Sequence, residues 1–117
     1  VLGHAFEMCR GASLGLALAE SRLPVFAAAP HLAAAGFVTG ASKRNWQSYV
    51  AEVDLPDGLP EWRRHLLCDP QTSGGLLIAC AAEAETRVLD LARRRGFEQA
   101  APIGTFTAGP ARIAVAA

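Results

Sequence analysis

The amino-acid sequence predicts an α+β fold, in which a mostly antiparallel mixed sheet is packed with helices. Residues 1–10 and 82–95 place their apolar side chains at helical spacing, which is typical of amphipathic helices. Short apolar runs at residues 14–19 and 75–81 predict strands. Near the end of the chain, Gly109-Pro110 lies between two further strand-like segments and predicts a hairpin turn, which favours antiparallel pairing.

The first half of the chain predicts two helices around one strand. In order, the expected helix, strand, short helix, loop and single helical turn lie at residues 1–10, 14–19, 27–36, 37–42 and 45–49. Gly11 is expected to end the first helix, because glycine readily takes the left-handed conformation that follows a helix. Pro30 is compatible only with the first turn of the short helix.

The second half predicts a surface connection, a helix, a buried strand, another helix and two final strands. These lie at residues 54–60, 61–68, 75–81, 82–95, 101–106 and 111–116. The helix at 61–68 should end before Pro70, because the residue before a proline avoids the helical region. The arginines at 93–95 fit the negative end of a helix dipole, and Gly96 is a natural residue to follow that helix.

Composition limits the class of protein. A chain of 117 residues with 51% hydrophobic residues is expected to form a single domain with a real core. Its 11 basic and 11 acidic residues cancel, so we expect neither nucleic acid nor an anionic membrane as a partner. No apolar run reaches the ~20 residues that a membrane-spanning helix needs.

The cysteines predict a reduced protein. Cys9, Cys68 and Cys80 form no Cys-x-x-Cys pair, and each lies in or beside an apolar stretch. No histidine or lysine clusters beside them to lower a thiol pKa. We therefore expect three buried, unreactive thiols, a pattern that suits the cytoplasm.

The histidines predict no metal site. His4, His31 and His65 are widely separated and have no local metal-ligand spacing. His4 and Glu7 could touch on one helix face, but we expect packing there rather than metal binding. No serine–histidine–aspartate set can be placed from the sequence, so a hydrolytic nucleophile has no support.

The loop at residues 69–75 is the feature richest in chemistry. Pro70 restricts the backbone, and Gly74 and Gly75 allow left-handed angles without Cβ atoms on the loop surface. Thr72 and Ser73 add hydroxyl groups. Exposed backbone N–H groups beside hydroxyls can hold an anion such as phosphate, although the same residues also suit an ordinary turn.

The wording of three segments resembles the selenophosphate synthetase family, also called selenide, water dikinases. Residues 69–77, DPQTSGGLL, are similar to a signature of that family. Residues 1–8 resemble the end of its TGFGLLGHLxEM run, and residues 39–49 resemble its PGGTxRNxxSY segment. The chain departs from the family at three positions: Thr39, Ala41 and Ser42. The resemblance covers nearly the whole chain.

This resemblance implies an architecture. The chain would be the C-terminal domain of a longer enzyme, of a partly ferredoxin-like type shared with aminoimidazole ribonucleotide synthetase and its relatives. The N-terminal domain, which binds ATP and carries the catalytic cysteine or selenocysteine, would be absent from these residues. That domain is the expected partner, and the full-length enzyme is expected to be a homodimer.

The resemblance also implies a set of site residues. The residues expected to face nucleotide phosphate are Arg44, Asn45, Thr72, Ser73, Gly74 and Gly75. Asp69 and Gln71 are expected to brace the loop, Asp69 through backbone N–H groups. Lys43, Arg44 and Asn45 follow a predicted loop, so the sequence leaves their side chains uncommitted to a helix face. Catalytic residues and metal ligands are not expected in this part of the enzyme.

The implied activity belongs to the whole enzyme. It makes selenophosphate from selenide, ATP and water with release of AMP and phosphate, and it uses Mg²⁺ and ATP. The chain alone is expected to bind no cofactor and to be inactive. Two alternatives remain open at this point: another enzyme of the superfamily, such as a thiamine-phosphate kinase or a hydrogenase-maturation enzyme, and a non-catalytic module that serves folding or partner contact.

Overall fold

The computed structural model describes residues 1–117. Five helices are present: α1 (Leu2–Ala12), α2 (Ala29–Ala34), α3 (Gly40–Tyr49), α4 (Glu61–Cys68) and α5 (Glu85–Arg94). Four strands form one sheet: β1 (Gly15–Ala19), β2 (Val53–Asp54), β3 (Gly104–Thr107) and β4 (Ile113–Ala116). Short 3₁₀ turns cover Glu20–Arg22, Val50–Glu52 and Ala82–Ala84.

The sheet is mixed, and its strand order is β2-β4-β1-β3. The α+β class is confirmed, but the expectation of mostly antiparallel pairing is wrong. β1 pairs antiparallel with β3, whereas β1 with β4 and β2 with β4 are parallel. The predicted hairpin at Gly109-Pro110 is wrong for the same reason, because β1 lies between β3 and β4. This arrangement puts the two most apolar strands, β1 and β4, side by side at the centre.

One face of the sheet carries the core. Leu16 and Leu18 of β1 and Ile113 and Val115 of β4 are buried, and the residues between them on β4 are exposed. This alternation is what a sheet covered on one face requires. Helix α1 packs over β1 and β4 and also contacts α3 and α4. The other buried members of this cluster come from α1, α3, β2 and α4: Leu2, Ala5, Cys9, Tyr49, Val53, Leu67 and Cys68.

The predicted helices are found, with one major difference at α3. α4 has the predicted bounds, and Pro30 lies in the first turn of α2. α1 continues past Gly11 and ends at Ser13, which takes the left-handed conformation with φ of 55°. The loop predicted at 37–42 and the single turn at 45–49 are wrong. A helix of 10 residues begins at Gly40, because Thr39 caps it by accepting a hydrogen bond from the Ser42 backbone N–H.

The strand predicted at residues 75–81 is wrong. The segment has no strand partner, and Leu76 and Ile78 are exposed to 87% and 60%. Apolar side chains are buried only where another part of the protein covers them. Here no strand of the sheet pairs with the segment. Cys80 is consequently exposed, contrary to expectation, whereas Cys9 and Cys68 are buried. α5 likewise buries no residue completely.

No helix of the structure is both long and apolar enough to cross a membrane.

Candidate functional site

Helices α3 and α4 meet at the loop that the sequence singled out. Thr39, at the start of α3, donates from Oγ1 to Oδ1 of Asp69, which directly follows α4, over 3.3 Å. Six residues further along the chain, Asn45 of α3 donates from Nδ2 to the backbone carbonyl of Cys68 over 2.9 Å. Two hydrogen bonds therefore join the first half of α3 to the point where the loop leaves α4.

A third connection between these helices is buried. The Ser42 hydroxyl lies 2.8 Å from His65 Nδ1 and 2.7 Å from the Thr39 carbonyl oxygen. Ser42 is 1% exposed and His65 is 7% exposed. The single hydrogen of the Ser42 hydroxyl can point to the Thr39 carbonyl or to His65 Nδ1, and the tautomer of the histidine ring sets which. In either case Ser42 and His65 share a buried hydrogen bond.

This pair resembles part of a hydrolytic triad but cannot act as one. Glu61 Oε1 lies 3.5 Å from the second ring nitrogen of His65, which completes a serine, histidine and glutamate set. In a triad, however, the histidine must accept the serine proton, and the serine oxygen must reach substrate. Ser42 is 1% exposed, so its oxygen cannot reach substrate, and the set connects helices instead of supplying a nucleophile.

The loop beyond Asp69 presents hydrogen-bond donors that the protein does not use. Gly74 and Gly75 have φ values of 92° and 83°, a region that disfavours side chains. Thr72 and Ser73 are exposed, and neither hydroxyl takes part in a hydrogen bond within the chain. No backbone N–H between residues 71 and 81 donates to another backbone carbonyl. Consecutive free N–H groups of this kind can surround an anion.

Asp69 holds the base of this loop. Its Oδ2 accepts from Gln71 Nε2 over 3.1 Å, while its Oδ1 accepts from Thr39. The expected contacts from backbone N–H groups to Asp69 are replaced by these two side-chain contacts. The carboxylate therefore fixes the loop to α3 and leaves the loop amides free.

Arg44 and Lys43 lie on α3, not on a loop, and both are exposed. The expectation that their side chains are uncommitted to a helix is therefore wrong. A Cβ atom placed on Gly40 would lie 3.8 Å from Arg44 Nη1, so the guanidinium reaches back to the first turn of α3. That turn begins next to Thr39, which holds Asp69. Arg44 makes no direct hydrogen bond to Thr72 or Ser73.

Two other candidate chemistries are absent. Burial raises the pKa of the Cys68 thiol, so this cysteine has no thiolate character near neutral pH. His4 is exposed, and Glu7 pairs with Arg10 over 3.1 Å. No group of three or more histidine, cysteine, aspartate or glutamate side chains could hold a metal ion.

Sequence reasoning missed the Ser42–His65 pair. The two residues are 23 positions apart, so no local pattern joins them. A partial signal was present, since Ser42 is three positions after Thr39 and begins a helix with it.

Comparison with known proteins adds the family. The model of the AIR synthase related protein, C-terminal domain, matches residues 1–116. The chain belongs to this family. Because the match covers almost every residue, the sheet, the helices and the loop described above all lie within the family domain.

Curated proteins that are similar to this chain carry the name "selenide, water dikinase". The protein from Rhizobium meliloti (strain 1021) is 52% identical over 115 residues, which are 98% of this chain and 33% of the relative. That from Burkholderia orbicola (strain MC0-3) is 50% identical over 116 residues, 99% of this chain and 33% of the relative. That from Pseudomonas straminea is 42% identical over 115 residues, 98% of this chain and 32% of the relative. The chain thus spans about a third of the length of these relatives.

Proposed function

We propose that this chain acts as the C-terminal domain of a selenide, water dikinase, and that its loop at residues 69–75 binds the phosphates of ATP. The full-length enzyme would make selenophosphate from selenide, ATP and water, with release of AMP and phosphate. The name of the relatives supports this reaction. Their greater length supports a second domain of the same enzyme as the partner of this chain. We also propose that the full-length enzyme is a homodimer in the cytoplasm.

The observation that carries the phosphate role is the set of free donors on the loop. The backbone N–H groups from residue 71 onward have no backbone partner, and the Thr72 and Ser73 hydroxyls are also free. Phosphoryl transfer depends mainly on positioning and charge neutralisation, so aligned donors suit a triphosphate.

Arg44 would supply the positive charge. A guanidinium can donate two parallel hydrogen bonds to one phosphate. Its guanidinium lies beside Gly40 in the exposed first turn of α3. Asn45 has a supporting role in this proposal, because its amide already donates to the Cys68 carbonyl.

Magnesium does not fit this chain. No cluster of carboxylate or other ligating side chains is present, so the metal that accompanies ATP would be held by the remainder of the enzyme. The role of this domain is then to bind and orient phosphate and to exclude water from it.

The proposal is tested by substitution in the full-length enzyme. The double variant Arg44→Ala, Ser73→Ala should lower kcat/KM for ATP by about tenfold or more, because charge-assisted hydrogen bonds to phosphate contribute roughly 1.5–3 kcal/mol each. Lys43→Ala is the matched control, since Lys43 is an exposed cation one position away. Equal activity in the double variant and the control would leave the domain as a non-catalytic module.

The isolated chain should be inactive. It has no cluster of metal ligands, and in this proposal the catalytic cysteine or selenocysteine belongs to the remainder of the enzyme. We expect no selenide-dependent ATP hydrolysis by the 117-residue chain. Such hydrolysis above a heat-denatured control would contradict the assignment of catalysis to the remainder of the enzyme.

A further inference from the structure

We infer that His65 is a positioning residue, which sets the phosphate loop against α3 through the hydrogen bond between its Nδ1 and the buried Ser42 hydroxyl. This inference rests on the proposed phosphate role of the loop. It adds two residues, Ser42 and His65, that belong to neither the loop nor the cationic helix surface. Neither residue touches phosphate in this account.

A chain of hydrogen bonds connects the two helices. Thr39 contacts Ser42 both through its carbonyl oxygen and through its side-chain oxygen. Ser42 Oγ also shares a hydrogen bond with His65 Nδ1 on α4 over 2.8 Å. The start of α3 is thereby connected to α4 through a network of polar groups in which each depends on its neighbour.

The position of His65 explains why the loop would respond. His65 is four residues before Asp69, so it lies one helical turn above the residue that begins the loop. Asp69 and Cys68 are held to α3 by Thr39 and Asn45 over 3.3 Å and 2.9 Å. A rotation of α4 that breaks the His65 contact would also move these two contacts.

Burial makes the histidine contact costly to lose. With Ser42 1% exposed, water cannot replace the missing partner of its hydroxyl without a local opening of the helix pair. The contact between Thr39 and Asp69 is exposed and 3.3 Å long, and the contact between Asn45 and Cys68 is half-buried. Water can therefore replace either of them. Of the three contacts, the hydrogen bond between His65 and Ser42 therefore restricts the relative position of the two helices most strongly.

Two substitutions at His65 separate its hydrogen bond from its volume. His65→Asn keeps a hydrogen-bonding group at nearly the same place, because the Asn amide carries a donor and an acceptor on Cγ, where His carries Nδ1. His65→Phe keeps a ring of similar shape but cannot form the hydrogen bond. The full-length enzyme carrying each variant is compared with wild type for kcat and for KM of ATP, and the 117-residue chain is compared for amide hydrogen exchange at residues 39–45 and 69–75.

We expect the asparagine variant to remain within about twofold of wild type in KM for ATP. The phenylalanine variant should raise KM about fivefold or more, the factor that loss of one net hydrogen bond implies. Amide exchange at residues 69–75 should increase in the phenylalanine variant only. If the two variants behave alike in both measurements, or if amide exchange at residues 69–75 is slower in the phenylalanine variant, the hydrogen bond has no positioning role and the inference is overturned.

A substitution at the other end keeps the test decisive if a histidine variant does not fold. Ser42→Ala removes the hydroxyl that contacts His65. Ser48→Ala is its matched control, because the Ser48 hydroxyl also contacts a backbone carbonyl of α3 but is exposed. Faster exchange at residues 69–75 in Ser42→Ala alone supports the inference, and equal exchange in both contradicts it. Exchange needs no nucleotide, so a failure of the phosphate proposal would show separately, as exchange effects without a change in KM.

Discussion

At the scale of single residues, close backbone contact decides which positions tolerate a side chain. A Cβ atom on Gly104 of β3 would lie 2.5 Å from the Ala17 carbonyl oxygen and 3.2 Å from the Leu18 Cα, both on the neighbouring strand β1. Backbone atoms of a central strand cannot move aside as a flexible side chain can. Glycine at 104 is therefore required by the antiparallel pairing of β1 with β3.

Replacing this glycine tests the packing of the sheet. Gly104→Ala should lower the free energy of unfolding by about 2 kcal/mol or more, since the added methyl group must push two strands apart. Gly11→Ala is the control, because Gly11 lies in α1 with no atom within 4 Å of the added Cβ. There alanine should stabilise the protein by about 0.5–1 kcal/mol. Urea unfolding measures both, and similar values for the two variants would contradict the strand pairing.

At the scale of elements, the sequence predicted helices well and strands less well. The bounds of α4 and the position of α2 followed from local signals, namely apolar spacing and prolines. The segment at 75–81 and the hairpin at Gly109 failed, because a strand exists only where another strand pairs with it. β4 pairs with β1, and no feature near residue 109 could reveal that distant partner.

The candidate site divides in the same way. The loop at 69–75 and the Arg44-Asn45 pair could be found from the sequence because their wording is distinctive. The sequence did not reveal that Arg44 and Asn45 lie on α3, beside the helix that the loop follows. The start of α3 depends on the Thr39 cap. The Ser42–His65 contact depends on how two helices pack, which no local pattern contains.

Removing the cap of α3 tests this element. Thr39→Ala should lower the free energy of unfolding by about 1 kcal/mol, because the Ser42 N–H then loses its side-chain acceptor. Thr39→Ser keeps the oxygen and should remain within about 0.5 kcal/mol of wild type. Thermal and urea unfolding of both variants provide the measurement. Equal stability of the alanine and serine variants would show that the cap does not hold α3.

At the scale of the whole molecule, an exposed ion pair joins the edge strand to the rest of the sheet. Arg112 donates to both carboxylate oxygens of Asp54 and to the Ala51 carbonyl. Asp54 lies on β2, and Arg112 directly precedes β4. The short parallel pairing of β2 with β4 therefore has a side-chain connection beside it.

The same pair predicts a pH dependence of stability. Hydrogen bonds from Arg112 hold the pKa of Asp54 below its ordinary value of 3.8. A carboxylate with a lowered folded-state pKa stabilises the protein above that ordinary value, and the contribution is lost as the pH falls through the lower folded-state value. The difference in urea midpoint between wild type and Asp54→Asn should be small but constant near neutral pH, and it should shrink below about pH 4. A difference that persists unchanged at acid pH would contradict the role of this pair.

The most direct test of the account measures the loop in the full-length enzyme with and without ATP. Amide hydrogen exchange at residues 71–76 reports whether the free backbone N–H groups become donors to phosphate. We predict at least tenfold slower exchange at Gly74 and Gly75 when ATP is bound, with no change at the exposed residues of α5. Unchanged exchange at this loop while the enzyme is saturated with ATP would contradict its role in binding phosphate.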